Sequence, residues 1–347
     1  MWPVQRAMAP VLRDVVGSVL FRAGATRPGR AARKCLTVVT FHRVLPEPLL
    51  AEYPIPELAV TVDELEWFTA FFREHYTCGT LAEVHRRWQE GARPWRPLLA
   101  ITFDDGQLDN LEHAVPVLER AGLRATFFVP VQGIEGRAPL WHDQLGFALA
   151  RLLREGQPAA LRVLEGLRPL RAVDDHELLL HVLERVRLLG PEQRQEVVAR
   201  VHRAAGAPHP PAWGGLMSWH HVRELARRGH EIGSHSLSHA SLPLLDDEEL
   251  YWETSGSRTR LEAEIGSPCV SFCYPSGDCD DRVAAAVRRA GYERAVTTRW
   301  GCNAPGADPV LLSRCDIQGR RARDRLGRPS AAALALRLHP LFPGPRP

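Results

Sequence analysis

Residues 98–110 read LLAITFDDGQLDN. The apolar run from Leu98 to Ile101 ends abruptly in two adjacent carboxylates, Asp104 and Asp105, followed by Gly106. Two like charges at the end of a buried strand repel, and burial raises the cost. A bound cation or a shared chemical task offsets that cost. Gly106 permits a tight turn, so both acids can face one pocket. A bland alternative is Asp105 as the N-cap of a helix beginning near Gln107, which accounts for one aspartate and not the other.

Working outward, strands and helices alternate. Strands are predicted over 35–41, 98–103, 124–131, 230–236, 269–274 and 294–298, with strand-like chemistry again at 311–317. Helices are predicted over 60–76, 109–121 closing at Gly122, 219–229, 246–265 and 281–290. This order predicts an α/β fold with a parallel sheet, open or closed, and chemistry where strands end. Residues of about 141–215 differ, being rich in Leu, Arg and Glu with helical spacing, and read as a helical insertion. The division expected is an N-terminal helical segment (1–34), a barrel (35–320) carrying that insertion, and a C-terminal tail (321–347).

The 347 residues are 45% hydrophobic and 24% charged, which is ordinary for a globular chain. The net charge of +3 is small, and no aromatic-interleaved basic stripe marks a nucleic-acid surface. Seven cysteines at irregular spacing contain no CxxC pair, so free thiols are expected. Arg6, Arg13 and Asp14 interrupt the weakly amphipathic N-terminal stretch. The expectation is therefore neither an export signal nor a membrane span, but a segment docked on the domain or touching a membrane surface. Cytoplasmic action follows, with the inner face of the membrane as its place.

The other half of the site is SHSLSHASL, residues 234–242, in which His235 and His239 stand four apart. On a helical turn that spacing puts both imidazoles on one side. Two imidazoles and a carboxylate suit a divalent metal such as zinc. The alternative is two surface histidines in a polar loop. Beside the Asp104–Asp105 pair the metal reading is preferred: one acid binds the ion, and the other takes a proton from water acidified by it.

With TFDDG at 102–106 and HSLSH at 235–239, each behind a strand and in this order, the chain resembles the polysaccharide deacetylase family. Its shared core is the NodB homology domain, carbohydrate esterase family four. The resemblance covers residues of about 35–318, interrupted by the insertion. It implies a distorted (β/α) barrel and metal-dependent hydrolysis of an N- or O-acetyl group on a sugar. It assigns Asp104 as catalytic base and Asp105, His235 and His239 as metal ligands, with zinc as the expected ion. A third family motif, Arg-x-Pro-Tyr-Gly-like, reads FCYPSGDCD at 272–280. Pro275 and Gly277 fit it. Cys273 stands where many members have arginine, and Ser276 where they have tyrosine. The Ser276 N–H can still serve an oxyanion, and Tyr274 belongs to the same turn. Arg314, with Asp316, is the candidate replacement for the missing arginine; a solvated ion pair is the alternative.

Many members also carry a late Leu-x-His histidine as general acid. Here the late candidate is His339, in the tail. A subgroup resembling poly-N-acetylglucosamine deacetylases instead ends its first strand in Phe-His or Tyr-His. VVTFHRV, with His42, fits that pattern. In a closed barrel the first strand neighbours the last, so His42 can stand in for a late histidine. Trp141, in LWHDQL, is read as lining the substrate groove or anchoring the insertion.

The reading is a hydrolase of carbon–nitrogen bonds other than peptide bonds. It would deacetylate a polysaccharide or glycolipid in building a cell-surface polysaccharide. An amidase acting on a small non-sugar amide and a non-catalytic glycan-binding protein are its rivals.

Overall fold

The computed structural model describes residues 15–29, 32–91, 94–136, 139–156, 164–167, 174–208 and 211–340. Seven parallel strands close a ring: β1 (Leu36–Phe41), β5 (Leu98–Phe103), β6 (Thr126–Val129), β7 (Glu231–Ser234), β8 (Ser271–Cys273), β9 (Arg294–Trp300) and β10 (Leu312–Asp316), which returns to β1. Two short strands, β2 (Arg43–Leu45) and β3 (Ala59–Thr61), pair beside the ring, and β4 (Thr77–Gly79) extends β5 at its start. This is the distorted (β/α) barrel anticipated from the sequence.

Strand alternation decides what the ring holds. Leu36, Val38, Leu98, Ala100, Cys273, Val296 and Leu312 form one inner cluster. Their strand neighbours Val39, Phe41, Leu99, Ile101, Phe103, Phe272 and Tyr274 belong to the outer core, against the helices. The same parity carries Thr40, Thr102, Asp104 and Arg314 to the inner side at the C-terminal end of the ring, where they meet.

Helix α1 (Val62–His75) starts at a capping box made by Thr61 and Glu64, and buries Leu65, Phe68, Phe71 and Phe72. Helix α2 (Leu81–Gln89), with the same device at Thr80 and Glu83, went unread in the sequence, as did β4. The insertion contributes α3 (Trp141–Glu155), α4 (Asp175–Arg187) and α5 (Pro191–Ala204), which share a separate core with Leu45, Tyr53 and Ile55. Helix α6 (Trp219–Arg227) precedes β7, and α7 (Asp281–Arg289) precedes β9.

The segment after Gly319, expected as a loose tail, packs back onto the barrel. Helix α8 (Ala331–Arg337) buries Leu334 and Ala335, and Leu338 joins the main core. Arg323 meets Glu64 at 2.7 Å. At the other end Phe21 lies edge-on to His75, with ring centroids 5.9 Å apart. Residues 1–14 and 341–347 lie outside the described residues, as do parts of the insertion. Among the described residues no helix is long and apolar enough to cross a membrane, and no disulfide joins any of the seven cysteines.

His230, before β7, is buried against Phe127, and its Nδ1 accepts the Ala125 N–H at 3.2 Å. Burial lowers its pKa from 6.5 to about 4. The unfolded chain therefore binds the proton first. Stability from the neutral ring is complete above pH 6.5 and is lost as pH falls toward about 4. At pH 5 the loss is about 2 kcal/mol. His230→Gln is expected to shrink the stability difference between pH 7 and pH 5 by that amount, read from urea unfolding. An unchanged difference would refute this assignment.

Candidate active site

Asp104 and Asp105 follow β5 directly and diverge because Asp105 and Gly106 both take positive φ, 73° and 65°. Asp104 stays on the inner side. Arg314 of β10 holds it with two parallel bonds, Nη1 to Oδ1 at 2.8 Å and Nη2 to Oδ2 at 2.7 Å. The Arg314 Nε donates to the Thr297 carbonyl at 2.9 Å and Nη1 to the Thr40 hydroxyl at 2.9 Å, which fixes the fork. Burial alone would raise the Asp104 pKa. The adjoining guanidinium outweighs it, so the carboxyl lies below its usual range and is ionised.

Asp105 turns to the histidines. Its Oδ1 lies 3.4 Å from His235 Nε2 and 3.3 Å from His239 Nε2. These donor atoms lie within 4.8 Å of one another, and all three residues are buried. The two imidazoles do not share a helical turn, as their spacing suggested. They sit on a loop after β7 that Ser236 and His239 fold back with φ of 66° and 59°. The Glu253 carboxylate braces this loop, accepting the Leu237 and Ser238 N–H groups at 2.8 and 3.0 Å. Nothing local in the sequence marked Glu253, because it lies on a later helix.

His235 Nδ1 meets the Cys273 carbonyl at 2.9 Å, which leaves Nε2 facing Asp105. Burial lowers His239 to about 4. His235 moves the opposite way: burial would lower it too, but Cys273, Asp105 and Asp104 outweigh that. The two imidazoles thus shift in opposite directions beside one ionised carboxylate. Binding of a divalent cation requires neutral imidazoles and an ionised carboxylate. The donor set and its second-sphere bond thus fit a divalent ion.

His42, just beyond β1, points into the cleft and not into the core. Its Nε2 is 3.9 Å from Asp104 Oδ2. β1 pairs with both β10 and β5, which places it there. His339 lines a different cavity beside Tyr76 and Leu338.

One expectation changes. Tyr274 lines the cleft but turns its hydroxyl away from it: alternation along β8 sends the side chain outward, and the hydroxyl donates to the Val310 carbonyl at 2.9 Å. Arg314, the candidate replacement for the missing arginine, does not form the solvated pair with Asp316 that was its alternative. It is buried on Asp104, and Asp316 accepts from Gln318 Nε2 at 2.6 Å while lining the cleft. Cys273 occupies the inner position where arginine was expected, with Sγ 3.3 Å from Arg314 Nη2. The arginine is thus supplied from another strand.

Ser276 lines the cleft with φ 55°, beside Gly277 at φ 74°. A Cβ on Gly277 would fall 2.0 Å from the Thr298 hydroxyl, so this turn requires glycine. Trp141 lines the cleft from the start of α3 while its ring packs under Arg194, 5.2 Å away. The adjacent His142 brings Nε2 to 3.8 Å from Asp105 Oδ2. The cleft has a volume of about 680 Å³.

A closed (β/α) barrel carrying two aspartates and two histidines at its C-terminal rim defines the class as a candidate metal hydrolase. Residues 92–295 match the family model described as polysaccharide deacetylase, and the chain belongs to that family. A curated relative, the putative polysaccharide deacetylase YxkH of Bacillus subtilis, is 20% identical over 226 residues, 65% of this chain and 53% of the relative. The chain thus spans about half the length of that relative. The Streptococcus pyogenes deacetylase PplD, solved in complex with acetate, shares the fold with a TM-score of 0.57 at 16% identity, over 88% of this chain and 99% of that one. IcaB from Ammonifex degensii does so with a TM-score of 0.51 at 18% identity, over 82% and 91%.

Proposed function

We propose that this chain is a metal-dependent hydrolase that removes acetyl groups from an N-acetylated polysaccharide or glycoconjugate, serving construction of a cell-surface polysaccharide. Its action is placed on the cytoplasmic side, at the inner face of the membrane. One observation carries the reading: Asp105 converges on two histidines while its neighbour Asp104, itself within 4.8 Å of His235, is held by the Arg314 fork, ionised and aimed into the same cleft. Binding alone gives no use for that second acid.

Asp105, His235 and His239 would hold the ion, zinc by the donor set. When bound, it supplies Lewis acidity to the acyl carbonyl and acidifies water. Asp104 accepts the proton of the attacking water, oriented by the Arg314 fork. The Ser276 backbone N–H is the candidate oxyanion donor. His42 delivers a proton to the leaving amine as the carbon–nitrogen bond breaks, giving acetate and a free amino sugar.

The test is acetate release from N-acetylchitooligosaccharides by zinc-loaded protein, with metal content measured in parallel. Asp104→Asn is expected to abolish release while retaining the metal. His42→Gln is expected to lower kcat by about 10²-fold or more, with metal content unchanged. Metal bound but no acetate from any acetylated sugar would favour the glycan-binding rival. Release from small amides alone would favour the amidase.

A further inference from the structure

The insertion does more than flank the cleft. Helix α4 runs over it as a bar fastened at both ends. At its N-terminal end His176 Nε2 meets Glu57 Oε1 at 3.0 Å, and Glu57 is also held by Arg320. At its C-terminal end Arg187 Nη1 meets Asp278 Oδ2 at 2.6 Å. Glu57 belongs to the loop between β2 and β3, on the β1 side of the ring, and Asp278 follows β8. In the strand circuit β1 and β8 are three steps apart one way and four the other, so they stand on opposite sides. Thirteen helical residues span about 18 Å, enough to cross the rim.

The side of this bar that faces the cavity is aliphatic along Leu180 and Leu183 and charged at its C-terminal end, where Glu184 and Arg187 pair with each other. Leu180 and Leu183, three apart on one face, line the cavity that also holds Asp104 and Asp105, together with Ile55 and Leu58. Aliphatic side chains make no hydrogen bonds to sugar hydroxyls, and covering hydroxyls with them carries a desolvation cost. A bar across the rim also obstructs a long glycan lying through the site. Resting on the deacetylase reading above, we propose that the substrate is a terminal N-acetyl sugar bearing an aliphatic aglycone, a glycolipid-type amphiphile. The sugar sits over Asp104 and Asp105, and the aglycone packs against Leu180, Leu183, Ile55 and Leu58.

The probes are octyl and methyl N-acetyl-β-D-glucosaminide, used below micelle formation, and N-acetylchitohexaose. Each methylene removed from water contributes about fourfold in affinity, so burial of two or more gives at least about tenfold. The octyl glycoside is expected to show that advantage in kcat/KM, carried by KM. In the hexaose, mass spectrometry is expected to find acetyl loss at a terminal residue only. The double variant Leu180→Asn, Leu183→Asn is expected to erase the octyl advantage while leaving methyl glycoside turnover within about twofold. Equal kcat/KM for the two glycosides in the unaltered protein, or acetyl loss at internal residues of the hexaose, would overturn the proposal. Calorimetric binding of both glycosides separates the two readings. Octyl preference in binding without acetate release leaves this subsite standing and removes the deacetylase reading; binding without preference removes the subsite.

Discussion

Arg314→Met should leave a folded but weakened protein with almost no turnover. The side chain is 2% exposed and spends both terminal nitrogens on Asp104. Methionine fills much of the volume and supplies none of the charge. The Asp104 carboxylate then stays buried without its cation, which costs about 3–5 kcal/mol in comparable buried pairs. It escapes part of that cost by taking up a proton, and a protonated Asp104 is no base. Turnover should fall by about 10²-fold or more, with the metal still bound. Arg314→Lys keeps a charge and loses the fork, and should fall between the two. Chemical denaturation and acetate release read the two effects separately. An Arg314→Met protein within about 1 kcal/mol of wild type, with ordinary turnover, would contradict the clamp.

Asp143→Ala should detach the insertion from the barrel. Asp143, at the start of α3, is fully buried and accepts Arg43 Nη2 at 2.7 Å, the Tyr53 hydroxyl at 2.8 Å and Gln107 Nε2 at 3.1 Å. Arg43 divides its guanidinium between Asp143 and Asp109, 2.7 Å from each. The network thus joins the start of the insertion to β2 and to the turn after Asp105. Burial would lower the Arg43 pKa, and the two carboxylates together raise it, so the charge is permanent. Removing Asp143 strands part of that charge and three donors, at a cost of about 3–5 kcal/mol. Limited proteolysis should then cut within residues 141–205 before the barrel. His142 and Trp141 would lose their support, and turnover should drop with the cleavage. Equal protease resistance in variant and wild type would count against this role.

How much of this the sequence disclosed depends on the range over which each signal acts. TFDDG and HSLSH announce themselves because strand, turn and chemistry lie within a few residues. The order of elements then gives the barrel. Arg314 was visible as the replacement for the missing arginine, but its two-bond grip on Asp104 was not, since 210 residues separate the two and only ring closure brings them together. Alternation along FCYPSG could have shown Tyr274 facing outward, because Cys273 and Tyr274 must point to opposite sides. The histidine pair misled in the other direction: four-residue spacing suits a helix, yet two left-handed residues achieved the same convergence. Helix α8 was hidden by an Arg- and Ala-rich composition that weakens the apolar period.

The pairing of β1 with β10 has a consequence for how the molecule comes into being. Of the three, His42 is synthesised first, Asp104 next and Arg314 last. Until the final strand joins the first, the acid has no cation beside it and the ring has an unpaired edge. A nascent chain that stops before β10 would carry both sequence motifs and still lack the clamp on Asp104.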